Sequence, residues 1–348
     1  MTTELDPTAL KPYLSRAIES ALPQNEAEEA FDVIMSGKAT ASQIGAFLMI
    51  LRLRGESIEE ITGAARIMRA KAKRVTAPAG AIDVVGTGGD GRGTLNISTA
   101  AGLTVASLGV PVAKHGNKAQ SSKSGAADAL AALGVDINAP VPVIERCLRE
   151  CGFGYMNAPN HHSAMRHVMP ARIELGVRTV FNILGPITNP AGVKRQLTGV
   201  FTRALVRPLA ETLRALGSER AWVVHGADGT DEVSITGPTF VAMLENGAVR
   251  QTTLNPEDVG VAEHPLGHIL SSGPEENTRK LHRLFNGDKS ADVAAFRDAV
   301  ALNAAAALRI ADRVGTLADG VVMAKAAFDD GRARATLARL VDLSKSAA

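Results

Sequence analysis

Aromatic residues are scarce: nine Phe, two Tyr and one Trp make up 3% of 348 residues, too few rings for a nucleic-acid surface built on base stacking. Cysteine is scarcer still. Cys147 and Cys151 lie four apart where a helix is predicted, without a disulfide framework or zinc-type spacing around them, and read as small buried hydrophobes. No run of eighteen apolar residues and no charged-then-apolar leader stands out, so the expectation is a protein of the reducing cytoplasm with no membrane partner. An excess of one charge is also missing. The 38 Lys and Arg against 36 Asp and Glu leave +2, which gives no bulk attraction to nucleic acid or lipid and leaves any anion site to local features.

Aliphatic residues and glycine are what the chain has in quantity. Hydrophobic residues make up 45% and charged ones 21%, the balance of a globular protein, and the length corresponds to roughly two domains at ~150 residues each. Residues 1–74 read as helices only. Asn25 with Glu28, Thr40 with Gln43 and Ser57 with Glu60 each set a capping residue three before an acceptor, which starts helices near 26, 41 and 58. After a linker at 77–80, strands are predicted at Ile82–Val85, Val110–Ala113, Phe153–Met156, Gln196–Phe201 and Ala221–Val224. Helices near 98–108, 124–133, 142–150 and 204–216 separate them. The alternation implies a larger α/β domain with a central, mostly parallel sheet, followed by shorter antiparallel strands over 233–255 and three closing helices.

Gly86, Gly88 and Gly91 satisfy the G-x-G-x-x-G dinucleotide fingerprint after the first strand. The rest of a dinucleotide site does not follow. An acidic residue is wanted about twenty positions on, at the end of the second strand, where Lys114 and His115 stand, and Asp90 inside the loop would repel a bare pyrophosphate. The alternative is a phosphate on the glycine amides and a second one on the helix start at Asn96, Ser98 and Thr99, which suits a substrate phosphorylated at both ends. An ordinary glycine turn with a Ser/Thr cap is the bland reading of the same residues. Lys114 to Ser122 reads as a polar loop with two ammonium groups, able to fold over such a ligand. Asp231 and Glu232, after another strand and a glycine turn, offer hard oxygen ligands for magnesium, with Ser98 as a further ligand and Asp228 as a rival.

These motifs, with Asn182-Ile183-Leu184-Gly185-Pro186 and Asn189-Pro190, closely resemble the anthranilate phosphoribosyltransferases of tryptophan biosynthesis, in order and over essentially the whole chain. The resemblance implies the nucleoside phosphorylase and phosphoribosyltransferase type of fold, with a segment near 163–185 returning to the small helical domain and 75–162 with 186–348 forming the larger one. It implies transfer of a phosphoribosyl group from phosphoribosyl pyrophosphate to the amine of anthranilate, with magnesium, two ions per monomer, in a homodimer joined through the small domain. By the same resemblance Gly86, Gly89, Asp90, Thr94, Asn96, Ile97, Ser98 and Thr99 belong to the phosphoribosyl pyrophosphate site. So do Lys114, His115, Gly116, Asn117, Lys118, Ala119, Gln120, Ser121, Ser122 and Ala126. Ser98 and Glu232 resemble ligands of one magnesium, and Asp231 with Glu232 those of the second; with Lys114 the two carboxylates would stabilise the leaving group, and no covalent nucleophile is implied. Gly86, Asn117 and Arg172 resemble anthranilate contacts, with His115 and His162 lining the path. A pyrimidine nucleoside phosphorylase-like enzyme is the alternative, and it would lack the Asp231-Glu232 pair.

Overall fold

The computed structural model describes residues 5–118 and 125–346. The chain opens with four helices, α1 (Lys11–Glu19), α2 (Gln24–Met35), α3 (Ala41–Arg54) and α4 (Ile58–Lys71). The Thr40/Gln43 and Ser57/Glu60 capping boxes are both formed. The Asn25/Glu28 cap is not. Helix α2 starts two residues earlier, behind Pro23 in an extended conformation that ends the preceding turn by itself, and Glu28 instead accepts from Gln24 and Arg66. Helix α1, which carries no capping signal, was not anticipated.

A seven-stranded sheet follows, ordered β3-β2-β1-β4-β5-β6-β7. Strands β1 (Ile82–Gly86), β2 (Val112–Gly116), β3 (Phe153–Asn157), β4 (Arg195–Gly199) and β5 (Arg220–Gly226) are parallel; β6 (Thr239–Glu245) and β7 (Ala248–Leu254) add antiparallel. Between the first strands run α5 (Ile97–Ser107), α6 (Ala126–Ala132) and α7 (Val141–Glu150). The mostly parallel α/β architecture is the one the sequence predicts, with one shift of consequence. Strand β2 starts two residues later than expected and takes in Lys114, His115 and Gly116, which by sequence read as loop.

After β3 come α8 (Ala158–His161), a 3-10 turn at Ser163–His167, α9 (Met169–Leu175) and α10 (Phe181–Leu184). The segment expected to be helical over 163–185 is therefore broken, and Gly176 at φ +61° ends α9. Helix α11 (Val206–Ala215) joins β4 to β5. Four helices, not three, follow β7 among the described residues: α12 (Pro274–Phe285), α13 (Ala291–Ile310), α14 (Leu317–Asp329) and α15 (Arg332–Lys345). Gly331 at φ +81° separates the last two.

Two apolar cores hold these elements. One lies on the sheet face covered by α5, α13, α14 and α15, and takes Trp222 and Val224 from β5. The other gathers α1–α4 with Val168, Ala171, Phe181 and Leu184, and continues through Leu209 and Leu213 of α11 onto Ala221 and Val223 of β5. Alternate residues of one strand thus face different cores, as the strand repeat of two requires. No helix among the described residues is long and apolar enough to cross a membrane.

Candidate active site

Four of the five parallel strands end in glycine at the same edge of the sheet: Gly86, Gly116, Gly199 and Gly226. Three of these leave no room for a Cβ, the third being Gly226, where one would stand 2.3 Å from Asp228 Oδ1. Asp231 crosses over the ends of β1 and β4, and a Cβ on Gly86 would stand 2.5 Å from its Oδ2, one on Gly199 1.6 Å from its carbonyl oxygen. The chain reverses its winding direction between β1 and β4, the place where open α/β sheets leave a crevice for ligands.

The glycine loop lies in that crevice and is tied down residue by residue. Thr87 donates its N–H to the Gly199 carbonyl at 2.9 Å and accepts at its hydroxyl from Phe201 N at 3.0 Å. Gly88 N donates to Asp231 Oδ2 at 2.8 Å, the guanidinium of Arg178 donates to the Gly89 carbonyl, and Asp90 Oδ1 accepts from Arg92 N at 3.0 Å. Gly88, Gly89, Gly91 and Gly93 all have positive φ, which only glycine adopts without strain. Thr94 bridges to Leu270, and Leu95 N donates to the Ile269 carbonyl at 2.8 Å. The simple picture of bare amides awaiting a phosphate is corrected at Thr87 and Gly88, whose N–H groups already have protein partners.

At the start of α5 the same holds. Asn96 N donates to Asn277 Oδ1 at 2.7 Å, Ile97 N to the Leu95 carbonyl at 2.7 Å, and Ser98 N to Glu232 Oε1 at 3.2 Å. Asn96 makes no side-chain capping bond to the helix, so the ordinary cap reading fails there. Ile97 is buried, whereas the Thr99 hydroxyl is buried without a hydrogen-bond partner.

Lys114 is corrected from a loop ammonium to a strand residue only 1% exposed. Its Nζ donates to the Val84 carbonyl at 2.5 Å and to Ser98 Oγ at 3.3 Å. Burial lowers its pKa, while Asp83, Glu232 and Asp231 pull in the opposite direction. The lysine thus underlies the carboxylates and braces the serine that starts α5. Asn117 and Lys118 are exposed, with Lys118 N bonded to Asn117 Oδ1 at 2.8 Å. Ala126 opens α6, whose second residue, Ala127, donates to the Asn117 carbonyl at 3.2 Å. Ala119, Gln120, Ser121 and Ser122 lie outside the described residues.

Asp231 and Glu232 meet Asp90 and Ser98 here. Burial, reinforced by the nearby Asp90, pushes the Asp231 carboxyl up to about 7; burial and Asp231 hold Glu232 well above the usual carboxylate range. Asp90 Oδ2 is buried with no hydrogen-bond partner. An oxygen-only cluster short of positive charge suits a hard divalent cation, although no three His, Cys, Asp or Glu side chains among the described residues are already arranged to hold one. Ligand oxygens would have to complete the shell. Asp228 is removed as a rival: Thr230, Ser234 and Thr236 occupy its carboxylate and fix the turn instead.

His115 and His162 form a second group. His115 Nδ1 donates to the Gly185 carbonyl at 2.9 Å, and its ring centroid is 5.1 Å from that of His162. Burial, with His162 beside it, lowers His115 to about 3; burial and His161 lower His162 to about 4, so both are neutral imidazoles at physiological pH. Arg172 rests its guanidinium 5.6 Å from the Phe181 ring centroid and makes no ion pair among the described residues. Since Phe181 opens α10 and Gly185 follows it, this short helix separates the arginine from the histidine. Arg172 does not touch the carboxylates.

Sequence reasoning missed Asp83, fully buried in β1 and raised to about 7 by burial. It accepts from Asn189 Nδ2 at 2.7 Å and from His115 N at 3.3 Å, fastening β1 to β2 beneath the site. An acid inside an apolar strand run was the available signal.

Residues 11–72 match the helical bundle domain of a glycosyl transferase family and residues 79–334 its a/b domain. The anthranilate phosphoribosyltransferase of Methylocella silvestris is 54% identical over 340 residues, 97% of this chain and 96% of that one. Among solved structures, that of the Thermus thermophilus enzyme has a TM-score of 0.90 at 42% identity, covering 96% of this chain and 99% of that one. The Saccharomyces cerevisiae enzyme in complex with PRPP and Mg has a TM-score of 0.89 at 29% identity, covering 98% and 99%. By this likeness over nearly its full length, the chain belongs to the anthranilate phosphoribosyltransferase family.

Proposed function

We propose that this protein transfers the phosphoribosyl group of phosphoribosyl pyrophosphate (PRPP) to the amine of anthranilate, giving N-(5-phosphoribosyl)anthranilate and pyrophosphate. One observation carries the reading: the Asp231-Glu232 segment crosses the strand ends so that its carboxylates touch both the glycine loop and the start of α5. Two anion-binding features and a cation-hungry carboxylate pair therefore share one crevice.

Breaking the bond from ribose C1 to pyrophosphate leaves negative charge on the departing group. Magnesium, two ions in this proposal, would be held by Asp231, Glu232 and Ser98 with phosphate oxygens completing the shell. When bound it neutralises that charge as a Lewis acid. Lys114 adds a fixed positive potential from below and holds Ser98 Oγ. The glycine loop, with Gly86, Gly89, Asp90 and Thr94, positions the ribosyl and phosphate groups, and no protein nucleophile is needed.

The amine of anthranilate is a weak nucleophile because its lone pair is shared with the ring, so orientation is what the protein must supply. Arg172, with no carboxylate of its own, is suited to a bidentate grip on the anthranilate carboxylate. Neutral His115 and His162 offer a ring-lined, uncharged wall. The helical domain, comprising 1–74 with the return at 163–185, is proposed as the dimer contact. Ile18, Leu53, Ile173 and Val177, on and just after α1, α3 and α9, are exposed there.

Loss of anthranilate fluorescence on adding PRPP and magnesium tests the reaction. Arg172→Ala should raise the anthranilate KM at least about tenfold and leave that for PRPP within twofold. Equal changes in both would remove Arg172 from the anthranilate site.

A further inference from the structure

The glycine loop is the most entropy-costly stretch of the crevice, since a run of positive-φ glycines is fixed only by what its neighbours impose. Thr87 is held by β4 and Gly88 by Asp231. Gly89 is held from elsewhere: by Arg178, in the segment that returns to the helical domain between α9 and α10. The guanidinium lies with its carbon 4.2 Å from the centroid of the Phe201 ring, a stacked arrangement that presets the plane of the fork. Phe201 in turn donates its N–H to Thr87 in the same loop. The Arg178 backbone is not free either, because Arg52 of α3 donates to its carbonyl at 2.6 Å. A chain of contacts therefore runs from α3 through Arg178 to the peptide joining Gly89 and Asp90.

We propose that Arg178 is a positioning residue for PRPP: stacked on Phe201 and anchored by Arg52, it fixes the Gly89 carbonyl and so presets the loop that receives the substrate. The inference rests on the placement of PRPP at this loop. A donor on the Gly89 carbonyl sets the orientation of the Gly89–Asp90 peptide, and with it the direction of the Asp90 N–H and the start of the Asp90 turn. Ordering the loop in advance lowers the entropy lost when PRPP binds. Arg178 thereby acts on PRPP affinity and not on the anthranilate grip, which belongs to Arg172. It also ties that affinity to the helical domain through α3.

Steady-state kinetics of the full-length enzyme provide the test. Arg178→Ala should raise the PRPP KM about tenfold, with kcat within threefold, the anthranilate KM within twofold and the melting temperature of the ligand-free protein within about 2 °C. Arg178→Lys, which keeps a donor but loses the planar fork, should recover part of the PRPP affinity. Arg52→Ala should raise the PRPP KM by a smaller factor in the natural background and have no effect once residue 178 is alanine. An unchanged PRPP KM in Arg178→Ala, or equal rises for both substrates, would overturn the proposal; independent, multiplying effects of the two substitutions would overturn the anchoring by Arg52. Calorimetric titration of PRPP with magnesium into Asp231→Asn checks the underlying placement separately. Undiminished binding there shows that PRPP lies elsewhere, whereas weakened binding there with a normal Arg178→Ala enzyme removes Arg178 alone.

Discussion

Asp231 concentrates the conflict at residue scale between holding the fold and serving the site. Its side chain is enclosed by Gly86, Gly88 and the Asp90 carboxyl, and burial with that neighbour raises its pKa from 3.8 to about 7. A carboxyl raised in the folded state stabilises the fold fully below its unfolded pKa, and that contribution is lost as pH rises through about 7. Glu232 shifts in the same direction. Asp231→Asn keeps an acceptor for Gly88 N without the charge. The expected outcome is a melting temperature close to that of the natural protein near pH 4 and higher by about 3–5 °C at pH 8, measured without ligand, with turnover lower by about a hundredfold or more. A melting difference that does not grow with pH would show that Asp231 is not the strained group. The balance is the usual one, in which a group poised for a ligand is a liability until the ligand arrives.

Elements differed in how openly the sequence declared them. Helix α4 was legible because its start is written in local chemistry: Ser57 and Glu60 form a reciprocal cap. The same Glu60 does more than its spacing reveals, since it is fully buried and also accepts from Leu22 N at 2.9 Å and from the guanidinium of Arg54. Those partners arrive from α3 and from the turn before α2, and distant partners leave no mark on a sequence pattern. Glu60→Ala leaves two backbone N–H groups and a half-buried arginine without their acceptor, and should cost about 3–5 kcal/mol, read as a lower urea midpoint with an unchanged slope. Glu60→Gln, which retains acceptor oxygen, should lose less. A cost below about 1 kcal/mol would mean that the pair behaves as an exposed one. Strand β2 was misplaced for the complementary reason. Lys114 and His115 look like loop residues until Val84, Ser98 and Gly185 supply the partners that let a strand bury them. Asp83 escaped notice because its partner Asn189 lies 106 residues away. The glycine loop and the Asp231-Glu232 pair were visible as types and spacings, but their meeting is a property of strand order, which local pattern does not encode.

For the whole molecule, a net charge of +2 is compatible with a doubly phosphorylated substrate because the proposed site gathers carboxylates as well as cations and leaves magnesium to reverse the local sign. The helical part contributes Arg172 and Arg178 through its returning segment but no carboxylate of the proposed site, and its surface has a different feature. Leu53 is 81% exposed, Ile173 72% and Ile18 68%, on α3 and on the α9 and α1 that each pack against it. Large aliphatic side chains that stay exposed on adjoining helices mark an association surface when they are contiguous. A two-fold contact places the same patch on both copies, so one substitution is introduced twice across the interface. Leu53→Glu should therefore convert the proposed dimer into a monomer of 36.3 kDa in sedimentation velocity, with the melting temperature lowered and made independent of protein concentration. Because α3 also carries Arg52, which holds the Arg178 carbonyl, the released monomer should show a higher PRPP KM than the dimer at equal anthranilate KM. A Leu53→Glu protein that still sediments as a dimer would move the interface away from this face.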